Sequence, residues 1–199
     1  MFDRHQTEKT ADRTFRIFEE KFVNAYLLMG DEKALWIGTG NGSGNLSEVV
    51  QSLTHLPVQV IAPHGHADHL GGAGWFDQVL VPQQDLAPVY ARSATPLASR
   101  IAAKMFGVKH RPVKQPHKPV FVPVSLSWRL DLGGRILEAI PLPGHTAGSI
   151  GLLDRENRML FCREMELVLA SQSKNAVIGK VKTSPNGILT YRTSGLYKK

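Results

Sequence analysis

The chain predicts a mixed α/β domain, on three observations. Short runs of β-branched, aromatic and aliphatic residues recur at strand length, an amphipathic helix pattern interrupts them at Leu46–Leu53, and a histidine-rich loop directly follows the apolar run Val58–Ala62. With 199 residues and 42% hydrophobic content, the chain can bury a sizeable core in one domain. Thr14–Phe18 and Val23–Leu28 read as strands, and Gly30-Asp31-Glu32 turns the chain into a third, Ala34–Ile37, giving an opening meander. Asn45 can cap a helix whose apolar residues at 46, 49, 50 and 53 form one stripe, and Pro57 stops it. Val58–Ala62 then reads as a buried strand that delivers its loop at a C-terminal sheet edge, where open sheets place ligands. Val79–Val81 is the next short strand.

From Gln83 to Lys118 the chain is basic and helix-prone, divided by Pro88, Pro96, Pro112, Pro116 and Pro119. Arg92, Arg100, Lys104, His110, Arg111, Lys114 and His117 have no diagnostic spacing and are expected on a solvated face, the alternative being contact with an anionic substrate. Strand character returns with Val120–Val122, Trp128–Leu130 and Arg135–Ile140, the last two joined as a hairpin through Asp131-Leu132-Gly133-Gly134. Ile150–Leu153 and Met159–Cys162 form a further hairpin around Asp154–Asn157. Beyond Leu169 the periodicity is lost, and Ser184-Pro185-Asn186-Gly187 marks a turn before a final run, Ile188–Tyr191. These features divide the chain into a domain over 1–170 and an atypical basic tail over 171–199.

The formal charge is +7, from 24 basic and 17 acidic residues. Six of the basic residues, and no acidic one, lie in 171–199, so 18 against 17 leaves +1 on the rest. A basic excess confined to a tail argues against nucleic acid as a partner. The single Cys162 excludes an internal disulfide, the start Met1-Phe2-Asp3-Arg4-His5 carries no apolar signal segment, and no stretch approaches the ~20 apolar residues of a membrane span. A cytoplasmic location and no membrane association are therefore expected.

His64-Gly65-His66-Ala67-Asp68-His69 puts three imidazoles and a carboxylate into six residues. Imidazole nitrogen and carboxylate oxygen suit a borderline cation such as Zn²⁺, and a short loop at a strand end can aim several of them at one point. Far downstream, Pro143-Gly144-His145-Thr146-Ala147-Gly148-Ser149 forms another loop between apolar runs. Together, His-x-His-x-Asp-His and Gly-His-Thr resemble the signature of the metallo-β-lactamase superfamily, and the resemblance covers about Phe15 to Cys162.

The resemblance implies an αββα sandwich with a metal site at one edge and hydrolysis by a metal-bound hydroxide. It gives His64, His66 and His145 the first ion, with the fourth position left to water, as in catalytic zinc sites. Asp68 and His69 would face a second position, with Asp68 also the catalytic group that orients the hydroxide or passes a proton to the leaving group. Gly71 and Gly72 would permit tight entry into a following helix.

Several positions depart from the family pattern. Gly38 stands where a carboxylate normally supports the metal loop from behind, a loss that typically costs about 10–100-fold in affinity or activity. Arg163-Glu164 replaces a Gly-Asp whose carboxylate bridges two metals, leaving Glu164 as the group that could reach in. No histidine follows His145, so the family's distal ligand has no counterpart, which suggests a missing or replaced last part of the fold. Pro63 stands where threonine is common and removes one backbone donor.

The expected cofactor is one tightly held zinc ion, with manganese or iron(II) as alternatives and a second site weak or absent. The leading function is a metal-dependent hydrolase of a small-molecule ester, thioester, lactone or lactam, closest to the glyoxalase II, thioesterase and lactonase branches. One alternative is a metal-binding relative impaired in catalysis, and another a phosphodiester-processing relative.

Overall fold

The computed structural model describes residues 5–19, 23–42, 44–93, 114–142, 144–162, 166–169, 181–183 and 189–191. A seven-stranded sheet runs in chain order through β1 (His5–Ala11), β2 (Thr14–Glu19), β3 (Val23–Met29), β4 (Ala34–Ile37), β5 (Val58–Ile61), β6 (Gln78–Pro82) and β7 (Val120–Val124). Its first four strands pair antiparallel, β2 to β4 forming the expected opening meander with β1 added at its edge, and β4 to β7 pair parallel. The change comes where helix α1 (Leu46–Leu53) carries the chain across to β5, since parallel neighbours need a crossover. The side chain of Asn45 accepts a hydrogen bond from the Ser47 N–H at 3.1 Å, capping α1 as the sequence predicts.

The second sheet is antiparallel, in the order β12-β11-β10-β9-β8, built from β8 (Arg129–Asp131), β9 (Ile136–Pro141), β10 (Ile150–Asp154), β11 (Met159–Cys162) and β12 (Glu166–Leu169). Gly133 and Gly134 close the β8–β9 hairpin with φ of 87° and 71°, the conformation a two-residue type I′ turn demands. β13 (Val181–Thr183) pairs antiparallel with β14 (Leu189–Tyr191). The boundary expected at residue 170 falls outside the described residues.

Alternation along the strands sorts the core into layers. Ile17, Ala25, Leu27 and Trp36 pack with Leu46 and Val50 of α1, and with Val89 of α3 (Leu86–Ser93), on one face of the first sheet. Tyr26, Leu28, Leu35, Ile37 and Ile61 face Leu137, Ile150, Leu152, Met159 and Phe161 between the sheets. β10 and β11 are buried on both faces, with Leu153, Leu160 and Cys162 in a separate outer cluster. Their unbroken apolar runs follow from that double burial.

One buried ion pair ties the sheets together at one end. The Arg135 guanidinium donates to Asp154 at 2.7 Å, to the Thr14 hydroxyl at 2.9 Å, and to the carbonyls of Arg13 and Met29 at 2.9 and 3.2 Å. The loops after β5 and between β9 and β10 emerge at the opposite end of the strands, where the Ile150 N–H donates to the Pro63 carbonyl at 3.0 Å.

Candidate metal centre

β5 ends at Ile61, and the chain passes through Pro63 to His64 and His66 before one helical turn, α2 (Ala67–Leu70), carries Asp68 and His69. The loop between β9 and β10 brings His145 from the other sheet. His64 Nε2 lies 3.0 Å from His145 Nε2, and one ligand atom from each of His64, His66 and His145 falls within 4.8 Å of the others. The ring centroids are 4.8 Å apart for His64–His66, 4.5 Å for His64–His145 and 4.3 Å for His66–His145. A second group within the same limit joins His64 to Asp68 and His69, with Asp68 Oδ2 3.3 Å from His69 Nε2. His64 and His69 are buried, whereas His66, Asp68 and His145 are half-buried.

This donor set fits a divalent cation. Nitrogens sharing one zinc ion at bonds of ~2.0–2.1 Å and tetrahedral angles sit about 3.3 Å apart, near the observed His64–His145 spacing. Three neutral imidazoles with one open side are the ligands such an ion takes in catalytic sites. Of the residues read from the sequence as ligands, five are brought together; Glu164, like Arg163, lies outside the described residues.

The surroundings of these residues add one brace and correct one expectation. Gly38 brings no side chain to the loop, but the loop is braced by its neighbour: the buried Thr39 donates to the His69 carbonyl through both its N–H, at 2.8 Å, and its hydroxyl, at 2.9 Å. Gly71 and Gly72 follow the helical turn that bears Asp68 and His69 and lead only into a short 3₁₀ turn, Ala73–Trp75. A Cβ on Gly71 would stand 2.3 Å from the Asn41 carbonyl carbon, and one on Gly72 2.2 Å from the Thr39 oxygen. The pair therefore serves the close approach of the segment after β4.

Besides Thr39, two contributors carry no signal in the sequence. Gln115 accepts from the Gly74 N–H at 2.6 Å and donates to the Gly71 carbonyl, holding residues 71–74 from the segment before β7. Asp85, only 2% exposed, accepts hydrogen bonds from both ligand-bearing loops: from the Gly65 N–H at 2.8 Å, the Thr146 hydroxyl at 2.6 Å and the Gly148 N–H at 2.9 Å. An aspartate between an apolar strand and an apolar helix looks like an ordinary cap, so no local pattern singled it out. Lys114 and His117 are exposed, and Arg100, Lys104, His110 and Arg111 lie outside the described residues.

Two stacked sheets carrying imidazoles on a loop from each define the metallo-β-lactamase fold. A solved DIM-1 metallo-beta-lactamase superposes with a TM-score of 0.57 over 80% of this chain and 69% of its own, at 14% identity. A metallo-beta-lactamase from Pontibacter korlensis gives 0.54 over 79% and 70%, at 19% identity. The chain belongs to the metallo-beta-lactamase superfamily, whose family model matches residues 19–162. Curated relatives include proteins named acyl-coenzyme A thioesterase MBLAC2, from Gallus gallus at 28% identity over 154 residues and from Bos taurus at 31% over 159. Each match covers 70% of this chain, which spans 56% of the length of those relatives. Among the described residues, no helix is long and apolar enough to cross a membrane.

Proposed function

We propose that the chain is a metal-dependent hydrolase of a small-molecule thioester, with esters, lactones and lactams as the neighbouring substrate classes. The observation that carries this reading is the meeting of His64 and His66 with the distant His145 within 4.8 Å. The thioesterase names of the curated relatives favour the thioester among carbonyl substrates.

His64, His66 and His145 would hold the cation. A zinc ion bound there would supply Lewis acidity and lower the pKa of a water ligand toward ~7. The two aspartates near the loops divide the remaining work by burial. Asp85 is enclosed and accepts from donors on both loops, so it holds the backbone. Asp68 keeps 46% of its side chain exposed beside His69 and is the carboxylate available to orient a nucleophilic water and pass its proton to a leaving thiolate or alkoxide. Among the described residues, Asp68, His69 and His64 are the only group for a second ion, and His64 is shared with the first. One tight equivalent is therefore the expected loading.

A substrate screen tests the proposal. The purified protein, with and without added zinc or manganese, should hydrolyse acyl-coenzyme A thioesters in preference to β-lactams and phosphodiesters. Activity on phosphodiesters alone would overturn the thioester assignment, and metal binding without turnover of any substrate would make the chain an impaired relative.

A further inference from the structure

We infer that Asp85 is a positioning residue that sets how tightly the three imidazoles hold a cation, by locking the loop after β5 to the loop between β9 and β10. The inference rests on the metal-binding reading above. Gly65 stands between His64 and His66, and Thr146 directly follows His145, so two of the three groups donating to Asp85 are chain neighbours of ligands from different sheets. Gly148 N–H adds the third hydrogen bond, to the other carboxylate oxygen. Ser149 fastens the same turn, its hydroxyl accepting from the Thr146 N–H at 3.1 Å.

The backbone of both loops packs close against this side chain. A Cβ on Gly65 would come within 3.0 Å of Asp85 Cβ and 2.9 Å of Val89 Cγ2, and one on Gly148 within 2.8 Å of Asp85 Cγ. Backbone from both loops closes on a side chain that is itself 2% exposed. A buried carboxylate is tolerated only where donors satisfy it, and here they come from segments 61 to 63 residues away in one case and 20 in the other. A helix cap alone would need neither loop.

The test is a zinc titration of the purified protein against a chromophoric chelator, for wild type, D85A, D85N and T146V. Cobalt(II) absorption and the melting temperature of the metal-free form accompany each titration. D85A should weaken zinc binding by about 10–100-fold and alter the cobalt spectrum, as loss of a group that orients ligands does. D85N, which keeps one acceptor oxygen, should fall between D85A and wild type. T146V, which removes the hydroxyl from both Asp85 and Ser149 but leaves the two backbone donors to Asp85, should weaken binding about two- to tenfold, less than D85A. A merely structural role would lower the melting temperature while leaving the dissociation constant and cobalt spectrum of the folded protein unchanged, and that result overturns the inference. Should D85A fail to fold, T146V decides: unaltered affinity there overturns the inference equally. A wild-type chain that binds no zinc overturns the metal-binding reading with it, whereas wild-type binding that is insensitive to both positions overturns this inference alone.

Discussion

Asp68 and Asp85 belong to one small neighbourhood, yet their surroundings differ, and with them the roles proposed for them. Asp68 sits on a helical turn at the edge of the site with 46% of its side chain exposed, while Asp85 is enclosed by Gly65, Thr146 and Gly148. D68N should therefore retain bound zinc and lower kcat by about 10²–10⁴-fold, the usual size of a lost acid–base group, and metal analysis beside steady-state kinetics checks both halves. H66A should do the reverse, with zinc lost on dialysis while the fold persists by circular dichroism; retained zinc would remove His66 from the ligand set. The candidate ligands were legible in the sequence because four of them lie within six residues. Thr39, Asp85 and Gln115 were not, because their partners, backbone atoms and the Thr146 hydroxyl, lie 30, 20 to 63, and 41 to 44 residues distant, and such contacts leave no local pattern.

Elements were readable where burial imposes a period. α1 shows its stripe at 46, 49, 50 and 53, and β3, β4, β10 and β11 show apolar runs, because each is enclosed on its packing faces. β1 was missed: it is the polar edge strand His5–Ala11, with Glu8 and Lys9 exposed, a composition that discourages further strand addition but resembles a loop. The cap on α1 is a local feature, so N45A should cost about 0.5–2 kcal/mol by denaturant titration and leave zinc affinity unaltered. The glycines after α2 are different. G72A would place a methyl group 2.2 Å from the Thr39 oxygen, and Thr39 in turn braces His69, so this substitution should lower both stability and metal affinity.

Across the whole molecule, the two sheets are fastened at both ends by unlike means. Arg135, Asp154, Thr14 and the carbonyls of Arg13 and Met29 form a charged knot at one end, and the imidazole-bearing loops meet at the other. R135M would leave the fully buried Asp154 carboxylate without its cation, with only the Asn157 donors, and should cost about 3–5 kcal/mol of folding stability. Because the knot lies away from the loops, zinc affinity of the folded fraction should stay at its wild-type value. The αββα architecture was expected from resemblance to a family, whereas nothing in the sequence announced the Arg135 network, since Arg135 heads a strand and Asp154 opens a turn 19 residues later. The most direct measurement is the zinc content of wild type and H145A after exhaustive dialysis. One equivalent per wild-type chain and none in a folded H145A is the predicted result; zinc retained undiminished in H145A would contradict a centre built from both sheets.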